Sequence, residues 1–343
     1  MQAPPALADL TTLRVGGPAD RLVRVGTEGE LIACVRDLDA DGEPVLVLGG
    51  GSNVLIADEG FAGTVVKIET AGVSADVSGC AGAVVTVAAG ENWDELVQRA
   101  VEEEWIGLEA MSGIPGLVGA TPIQNVGAYG AEVAAEIETV RTYDRTTGLL
   151  RTFAAGDCGF RYRSSVFKTE PGRYVVLSVT FQFRLGSLSA PIGYAELAST
   201  LGVPLNARVP ARDVREAVLS IRRHKGMVLD GEDHDTWSAG SFFTNPILEL
   251  DAAAALPDAA PRYPQPDGRV KTSAAWLIEQ AGFGKGFGDG EARLSTKHTL
   301  ALTNRGAATA GDLLRLARQI RDGVRTRFGV TLVPEPVLVG CEL

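Results

Sequence analysis

The stretch Ser112 to Glu132, SGIPGLVGATPIQNVGAYGAE, carries Gly113, Gly116, Gly119, Gly127 and Gly130 together with Pro115 and Pro122, a pattern that suits neither a helix nor a strand. Glycine lets a backbone approach a ligand closely, and proline fixes its own φ while biasing the residue before it toward extended geometry. The expected product is a rigid loop that exposes main-chain N–H groups. A second such array lies upstream, where the apolar run Pro44 to Leu48 ends in Gly49-Gly50-Gly51-Ser52-Asn53 and a new apolar run, Val54 to Ala57, follows. Strand, glycine loop, strand is the reading. Successive N–H groups in a turn of this kind form a concave nest that suits phosphate oxygens, so two nests suggest a dinucleotide with a pyrophosphate. A glycine-rich turn taken alone is usually only a turn. The first loop is not a GxGxxG fingerprint, because a strand rather than a helix follows it. Nor is there a Walker loop, since Lys285 is followed by Gly286. A dinucleotide would have to be held by another fold.

The elements around these loops fall into three regions. Up to about residue 72, short apolar runs such as Leu22 to Val25 and Thr64 to Ile68 alternate with a helical stretch, Glu28 to Leu38, which reads as mixed α/β. From 73 to 215, strands at Ala83 to Ala88 and Tyr174 to Phe183 surround a helix over Trp93 to Glu104, with Leu96, Val97, Ala100 and Val101 on one face. The remainder, 216–343, holds helices at Ala211 to His224, Ala274 to Gln280 and Ala310 to Phe328, with short strands near Thr299 to Thr303 and Pro336 to Val339. Phe160-Arg161-Tyr162-Arg163 reads as an alternating segment that points both arginines to one side.

Composition limits the function classes. In 343 residues with 45% hydrophobic and 22% charged side chains there is room for two or three globular domains. A formal charge of −11 argues against a nucleic-acid surface. The start, MQAPPALADLTTLRVGG, has neither a basic n-region nor an apolar core, and no run of about 18 apolar residues follows. Neither secretion nor membrane insertion is expected, and the cytoplasm is the expected compartment. Cys34, Cys80, Cys158 and Cys341 are scattered, and His224, His234 and His298 show no ligand spacing. No metal is expected.

GGGSNVL at 49–55 and the loop at 112–132 resemble the two flavin-binding loops of the UDP-N-acetylenolpyruvoylglucosamine reductase (MurB) family of peptidoglycan synthesis. Further similar motifs follow in the family's order: TTLRVGGPA at 11–19, YRSSVFK at 162–168, GSFFTNP at 240–246, AAWLIEQAGFGKG at 274–286, STKHTLALTNRG at 295–306 and PEP at 334–336. The resemblance spans nearly the whole chain. It implies an α+β fold: a two-part FAD-binding module of the vanillyl-alcohol-oxidase/PCMH type, with subdomains at 1–72 and 73–215, and a C-terminal α+β substrate-binding domain at 216–343 whose tail returns to the FAD module.

The same resemblance implies an FAD-dependent, NADPH-fed reduction of UDP-N-acetylglucosamine enolpyruvate to UDP-N-acetylmuramate in bacterial peptidoglycan precursor synthesis, with hydride to C3 and a proton to C2. FAD contacts would come from Gly49, Gly50, Gly51, Ser52 and Asn53, and from Ser112, Gly113, Ile114, Pro115, Gly116, Gly119, Ala120, Gln124, Asn125, Gly127, Ala128 and Tyr129. Neither loop contains the histidine or cysteine that covalent attachment uses, so the flavin is expected to be non-covalent. Arg163, Ser241 and Glu335 match the catalytic residues of the family: the arginine and glutamate at the enolpyruvyl carboxylate, the serine as proton donor. Tyr162, Lys225, Asn245 and Gln280 match substrate contacts, and Tyr194 in GYAEL resembles the loop tyrosine that one subtype closes over the nucleotide sugar. Two departures stand out. Thr244 occupies a position where many relatives have lysine, and Gly231 to Trp237, GEDHDTW, is longer and more acidic than expected, as an inert surface insertion would be. A monomer is expected, with the nucleotide sugar and NADPH as partners. The rival readings are another flavoenzyme of the same fold and a non-catalytic nucleotide-sugar or flavin-binding protein.

Overall fold

The computed structural model describes residues 5–343. In chain order the elements are β1 (Ala19–Val25), α1 (Glu28–Ala40), β2 (Val45–Leu48), β3 (Val54–Ile56), β4 (Phe61–Ile68), β5 (Val73–Ser78), β6 (Gly82–Ala88), α2 (Trp93–Glu102), β7 (Trp105–Ile106), β8 (Gly127–Ala128), β9 (Ala131–Glu132), β10 (Ile137–Asp144), β11 (Leu149–Ala154), α3 (Val166–Thr169) and β12 (Tyr174–Leu185). After them come α4 (Ala195–Leu201), α5 (Ala211–His224), β13 (Ile247–Leu248), α6 (Leu250–Ala254), β14 (Tyr263–Pro264), β15 (Val270–Lys271), α7 (Ala274–Gln280), β16 (Ala292–Leu294), β17 (Leu302–Asn304), α8 (Ala310–Phe328) and β18 (Val337–Val339). Among the described residues, no helix is long and apolar enough to cross a membrane.

The chain divides into two compact units, and neither is continuous in sequence. The larger takes Ala19–Gly50 and Ala62–His224; the smaller takes the chain to Pro18, Gly51–Phe61 and Lys225–Leu343.

In the larger unit, β1, β4 and β2 form one sheet in the order β1-β4-β2, with β2 and β4 parallel. Helix α1 begins at a capping box, in which the Thr27 side chain accepts from Glu30 N and the Glu30 carboxylate accepts from Thr27 N. The other sheet is antiparallel, in the order β11-β10-β12-β6-β5, with β7 on β12. Alternation along β6 buries Ala83, Val85 and Val87, while Thr86 turns outward and its hydroxyl meets that of Thr180 at 2.9 Å. Trp93, Phe181 and Phe183 lie in the resulting core, each at most 1% exposed. Burial of each such ring contributes roughly 1.5–3 kcal/mol. A smaller cluster joins Ile192, Leu197 and Ala198 around α4 to Val214, Val218 and Ile221 of α5.

Near β7 and β12, burial pushes the Glu136 carboxyl up to about 7; Arg184 opposes that rise and Glu109 adds to it. The folded pKa lies above the ordinary 4.5, so the stability carried by neutral Glu136 is complete below that value and is lost as pH rises through about 7. Wild-type stability should therefore fall relative to Glu136→Gln by about 1–2 kcal/mol across this window, after discounting for solvent screening. Urea melts at a series of pH values check this, and parallel curves for the two proteins would contradict it.

In the smaller unit, β3 leaves the glycine loop to pair in parallel with β18, Val54 opposite Val337 and Ile56 opposite Val339. Two further small sheets are β13-β15-β14 and β16-β17. The core gathers Leu13, Leu55, Phe242, Phe243, Leu277 and Ile278 with one face of α8: Leu313, Leu316, Ala317, Ile320 and Val324. Helix α8 starts at a capping box of Thr309 and Asp312 and stops at Gly329, whose φ of 68° continues no helix.

Three expectations are corrected. Strand β17 spans Leu302–Asn304 rather than Thr299 to Thr303, because residues before it form a turn in which Ala301 N donates to His298 O. The loop at 112–132 is not free of regular structure, since it contains a 3-10 turn at Val118–Ala120 and the two-residue pair β8-β9. Phe160 to Arg163 is not an alternating segment. Arg161 and Ser164 exchange both main-chain hydrogen bonds, at 3.0 and 3.1 Å, which closes a tight turn and puts Arg163 at φ 52°.

Candidate active site

In the larger unit the two glycine loops meet. A Cβ placed on Gly50 would lie 2.7 Å from Gly116 Cα and 3.2 Å from Gly116 C, so only glycine permits this approach. The start of helix α2 and the residues before it stitch the second loop in place: Trp93 N donates to Gly116 O, Val118 N to Glu91 O, and Trp93 Nε1 to Met111 O. Ser112 is fully buried, its hydroxyl on Glu109 O, and Gly113 N donates to Asp94. Gly119 N and Ala120 N are used within the fold as well, on Ala89 O and Leu117 O. By contrast, the N–H groups of Gly50, Ile114 and Gly116 donate to no acceptor among the described residues. Such clustered donors around a backbone crossing, with Gly49 and Pro115 flanking them, suit a bound pyrophosphate.

Farther along the loop, Asn125 is 1% exposed and its side chain is used internally: Nδ2 donates to Glu132 and to Arg161 O, and Oδ1 accepts from Ala134 N. Its carbonyl and that of Gly127 accept from the Arg163 guanidinium at 3.3 and 2.6 Å. Asn125, Tyr129 and Arg163 all adopt left-handed φ, at 47°, 49° and 52°. Each such non-glycine position costs on the order of 1–3 kcal/mol, and strain of this kind concentrates where function needs it. Gln124 and Ala128 lie in the same stretch, half-buried. Tyr162 stacks its ring 5.4 Å from the Arg163 guanidinium. The Tyr129 ring meets Tyr194 edge-on at 5.6 Å, and burial pushes the Tyr129 hydroxyl up to about 12. Tyr194 stands exposed at the start of α4.

In the smaller unit, GSFFTNP and PEP run antiparallel. Glu335 N donates to Phe242 O at 2.9 Å, Thr244 N donates to Val333 O, and Phe243 bridges Pro334. Ser241 is therefore next to the residue whose carbonyl holds Glu335. Phe242 and Phe243 are each 1% exposed and anchor this ribbon in the core, which leaves Ser241 and Glu335 half-buried at its edge. Asn53 adds to the same cluster: its Nδ2 donates to Glu335 O at 3.4 Å, and Val337 N donates to Asn53 O. Asn245 Oδ1 caps α7 by accepting from Ala274 N, and Gln280 ends that helix exposed. Lys225 follows α5, half-buried.

Thr244, at the first departure, lays its hydroxyl on Val333 O of the PEP ribbon. The second departure is not an inert insertion. Asp235 is 5% exposed and accepts from Thr296 N and Oγ1 and from Arg305, while Asp233 pairs with Lys297. Burial works against its charge, but Thr296 and Arg305 hold its carboxyl below the usual range. Trp237 sits under the Arg14 guanidinium at 3.8 Å and against His234. The segment thus ties down the STKH motif and the Arg14 turn. A run of Glu and Asp reads locally as a solvated loop, and nothing in it marks Asp235 as the buried acid.

Sequence reasoning also missed Asp94. As the second residue of a helix it passes for an ordinary acid at the positive end of the dipole.

A family model described as the FAD binding domain matches residues 19–153, and one described as the C-terminal domain of UDP-N-acetylenolpyruvoylglucosamine reductase matches residues 232–339. The chain is 62% identical over 340 residues to a UDP-N-acetylenolpyruvoylglucosamine reductase of Cutibacterium acnes, covering 98% of this chain and 90% of that one. It is 56% identical to the protein of the same name from Thermobifida fusca, covering 98% and 97%. The crystal structure of the reductase (MurB) from Thermus caldophilus superposes with a TM-score of 0.66 at 27% identity, covering 98% of this chain and 97% of that one. The expected fold class holds: an α+β FAD-binding module with a C-terminal α+β domain. With that extent of identity over both regions, this chain belongs to the UDP-N-acetylenolpyruvoylglucosamine reductase family.

Proposed function

We propose that this enzyme reduces the enolpyruvyl ether of UDP-N-acetylglucosamine enolpyruvate to UDP-N-acetylmuramate for peptidoglycan synthesis, with FAD as its cofactor and NADPH as reductant. The observation that carries the reading is the pair of glycine loops in contact at Gly50 and Gly116, with unused N–H donors around the crossing. FAD bound there would supply hydride chemistry, taking a hydride from NADPH and delivering it to C3 of the enolpyruvyl group.

The chain's own residues would do the rest. Arg163 presents a planar cation whose orientation is set by Asn125 O and Gly127 O, suited to the negative charge that spreads into the substrate carboxylate. Glu335, held by Phe242 O and Asn53, would polarise the same region. Ser241 would give its hydroxyl proton to C2. A hydroxyl is a weak acid, but a carbanion-like carbon is a strong enough base to take its proton. Lys225 and Asn245 would meet the diphosphate and carboxylate, Tyr162 and Gln280 would complete the substrate contacts, and Tyr194 would cover the nucleotide sugar.

An anaerobic absorbance experiment tests this. NADPH should bleach the flavin of the purified protein, and UDP-N-acetylglucosamine enolpyruvate should restore it. Bleaching without recovery would assign a different substrate to the same flavoenzyme. Failure to take up FAD at all would favour a binding protein.

A Cβ on residue 50 would sit 2.7 Å from Gly116 Cα, so one of the two loops must shift in Gly50→Ala, and FAD should bind about tenfold more weakly to that apo-protein. Fluorescence titration measures this. Wild-type affinity would show that the crossing tolerates separation.

A further inference from the structure

Both ends of the long glycine loop are tied to α5, the first through Asp94 of α2 and the second through Tyr129. Near the first end, the Asp94 carboxylate accepts from Gly113 N at 2.6 Å. The same carboxylate takes the Arg215 guanidinium in a two-pronged pair, at 2.6 and 3.0 Å, and Arg215 projects from α5. Near the other end, the Tyr129 hydroxyl is hydrogen-bonded to Arg222, also on α5 and only 9% exposed. Asp94 and Arg222 also feel each other's charge. Partial burial works against the charge of Asp94, but Arg215, Gly113 N and Arg222 outweigh it and keep the carboxyl ionised below its usual range.

A surface acid in the first turn of a helix contributes mainly through the dipole and is replaceable. Asp94 has different partners. Its carboxylate faces the loop and α5, not the N–H groups of its own helix, whose first turn is capped by Asn92 Oδ1. Helix α5 in turn packs through Val214, Val218 and Ile221 on Ile192, Leu197 and Ala198, which flank Tyr194. One rigid element therefore fixes where the loop begins, at Gly113, and where Tyr129 stands at its other end.

We infer that Asp94 is a positioning residue that, with Arg215 and Arg222 of α5, holds the 112–132 loop in the shape that receives the flavin. This rests on the assignment of that loop to FAD. It predicts that the loop is pre-shaped in the apo-protein and that loss of the Asp94 carboxylate weakens flavin binding without removing a flavin contact.

The test is titration of apo-protein with FAD at a temperature far below unfolding, with hydrogen exchange at Gly113 and Tyr129 measured on the same samples. Asp94→Ala should bind FAD roughly tenfold or more weakly, the loss expected for hydrogen bonds to a charged group. Asp94→Asn keeps an acceptor for Gly113 N but loses the charge that pairs with Arg215, and should fall between wild type and Asp94→Ala. Exchange at both amides should quicken in each variant, and Arg215→Met should quicken exchange at Tyr129 as Asp94→Asn does. Variants that melt earlier but bind FAD with wild-type affinity would overturn the inference, because a merely stabilising contact does exactly that. Should Asp94→Ala not fold, Asp94→Asn alone decides the point. Wild-type apo-protein that takes up no FAD would instead overturn the flavin assignment, and this inference with it.

Discussion

Replacing Ser241 by alanine is expected to leave bleaching of the flavin by NADPH close to wild type while slowing its reoxidation by the enolpyruvyl nucleotide about 10²–10⁴-fold, the usual contribution of a positioned proton donor. The two half-reactions separate because the proton is needed only after hydride has reached the substrate. The change should be mild for the fold. Ser241 is half-buried beside Phe242 and Phe243, and the ribbon that holds it is built from the main-chain bonds of Phe242, Thr244 and Glu335, which alanine leaves in place. Stopped-flow absorbance resolves both steps. Equal loss in the two half-reactions would remove Ser241 from the proton path and point to a general defect in the site.

The second large effect is expected at Arg163. Substitution by lysine keeps the charge but loses the planar fork that donates to Asn125 O and Gly127 O, so the cation is no longer aimed by the loop. A fall in kcat of about 10²–10³-fold is expected, in the range found when one preorganised stabilising donor is removed. Arg163 also occupies a left-handed backbone position that lysine shares equally, so the comparison isolates the head group from the strain. Near-normal turnover in Arg163→Lys would take the residue out of the mechanism. Unlike Ser241→Ala, this variant should also alter flavin affinity if the 112–132 loop receives FAD as proposed, because the Arg163 guanidinium holds Asn125 and Gly127 of that loop. A titration of the apo-protein separates that contribution from the catalytic one.

Much of the local structure could be read directly from residue order. The ends of α5, α7 and α8 coincide with those expected, and at α8 the cap of Thr309 with Asp312 and the stop at Gly329 are local signals. The glycine loops, too, were visible as loops, because glycine and proline act on their own backbone whatever lies around them. The turn at Arg161 to Ser164 was not. Alternation of aromatic and basic residues suggested a strand, and the positive φ at Arg163 depends on contacts with the carbonyls of a loop almost 40 residues earlier. Likewise, no pattern within GEDHDTW separates the buried Asp235 from the exposed Glu232, because its burial is decided by Thr296 and Arg305.

By itself, then, the sequence determined the longer helices and the two glycine loops, where the backbone is freed by glycine, and which family supplies the motifs. Only the tertiary structure decided which of those segments meet. Gly50 touching Gly116, Ser241 beside the carbonyl that holds Glu335, Asp94 between Gly113 and Arg215, and β3 paired with β18 rather than with β2 all join residues tens to hundreds of positions apart. Such pairings follow from burying apolar faces and satisfying main-chain groups over the whole compact unit. No window of neighbouring residues carries that information.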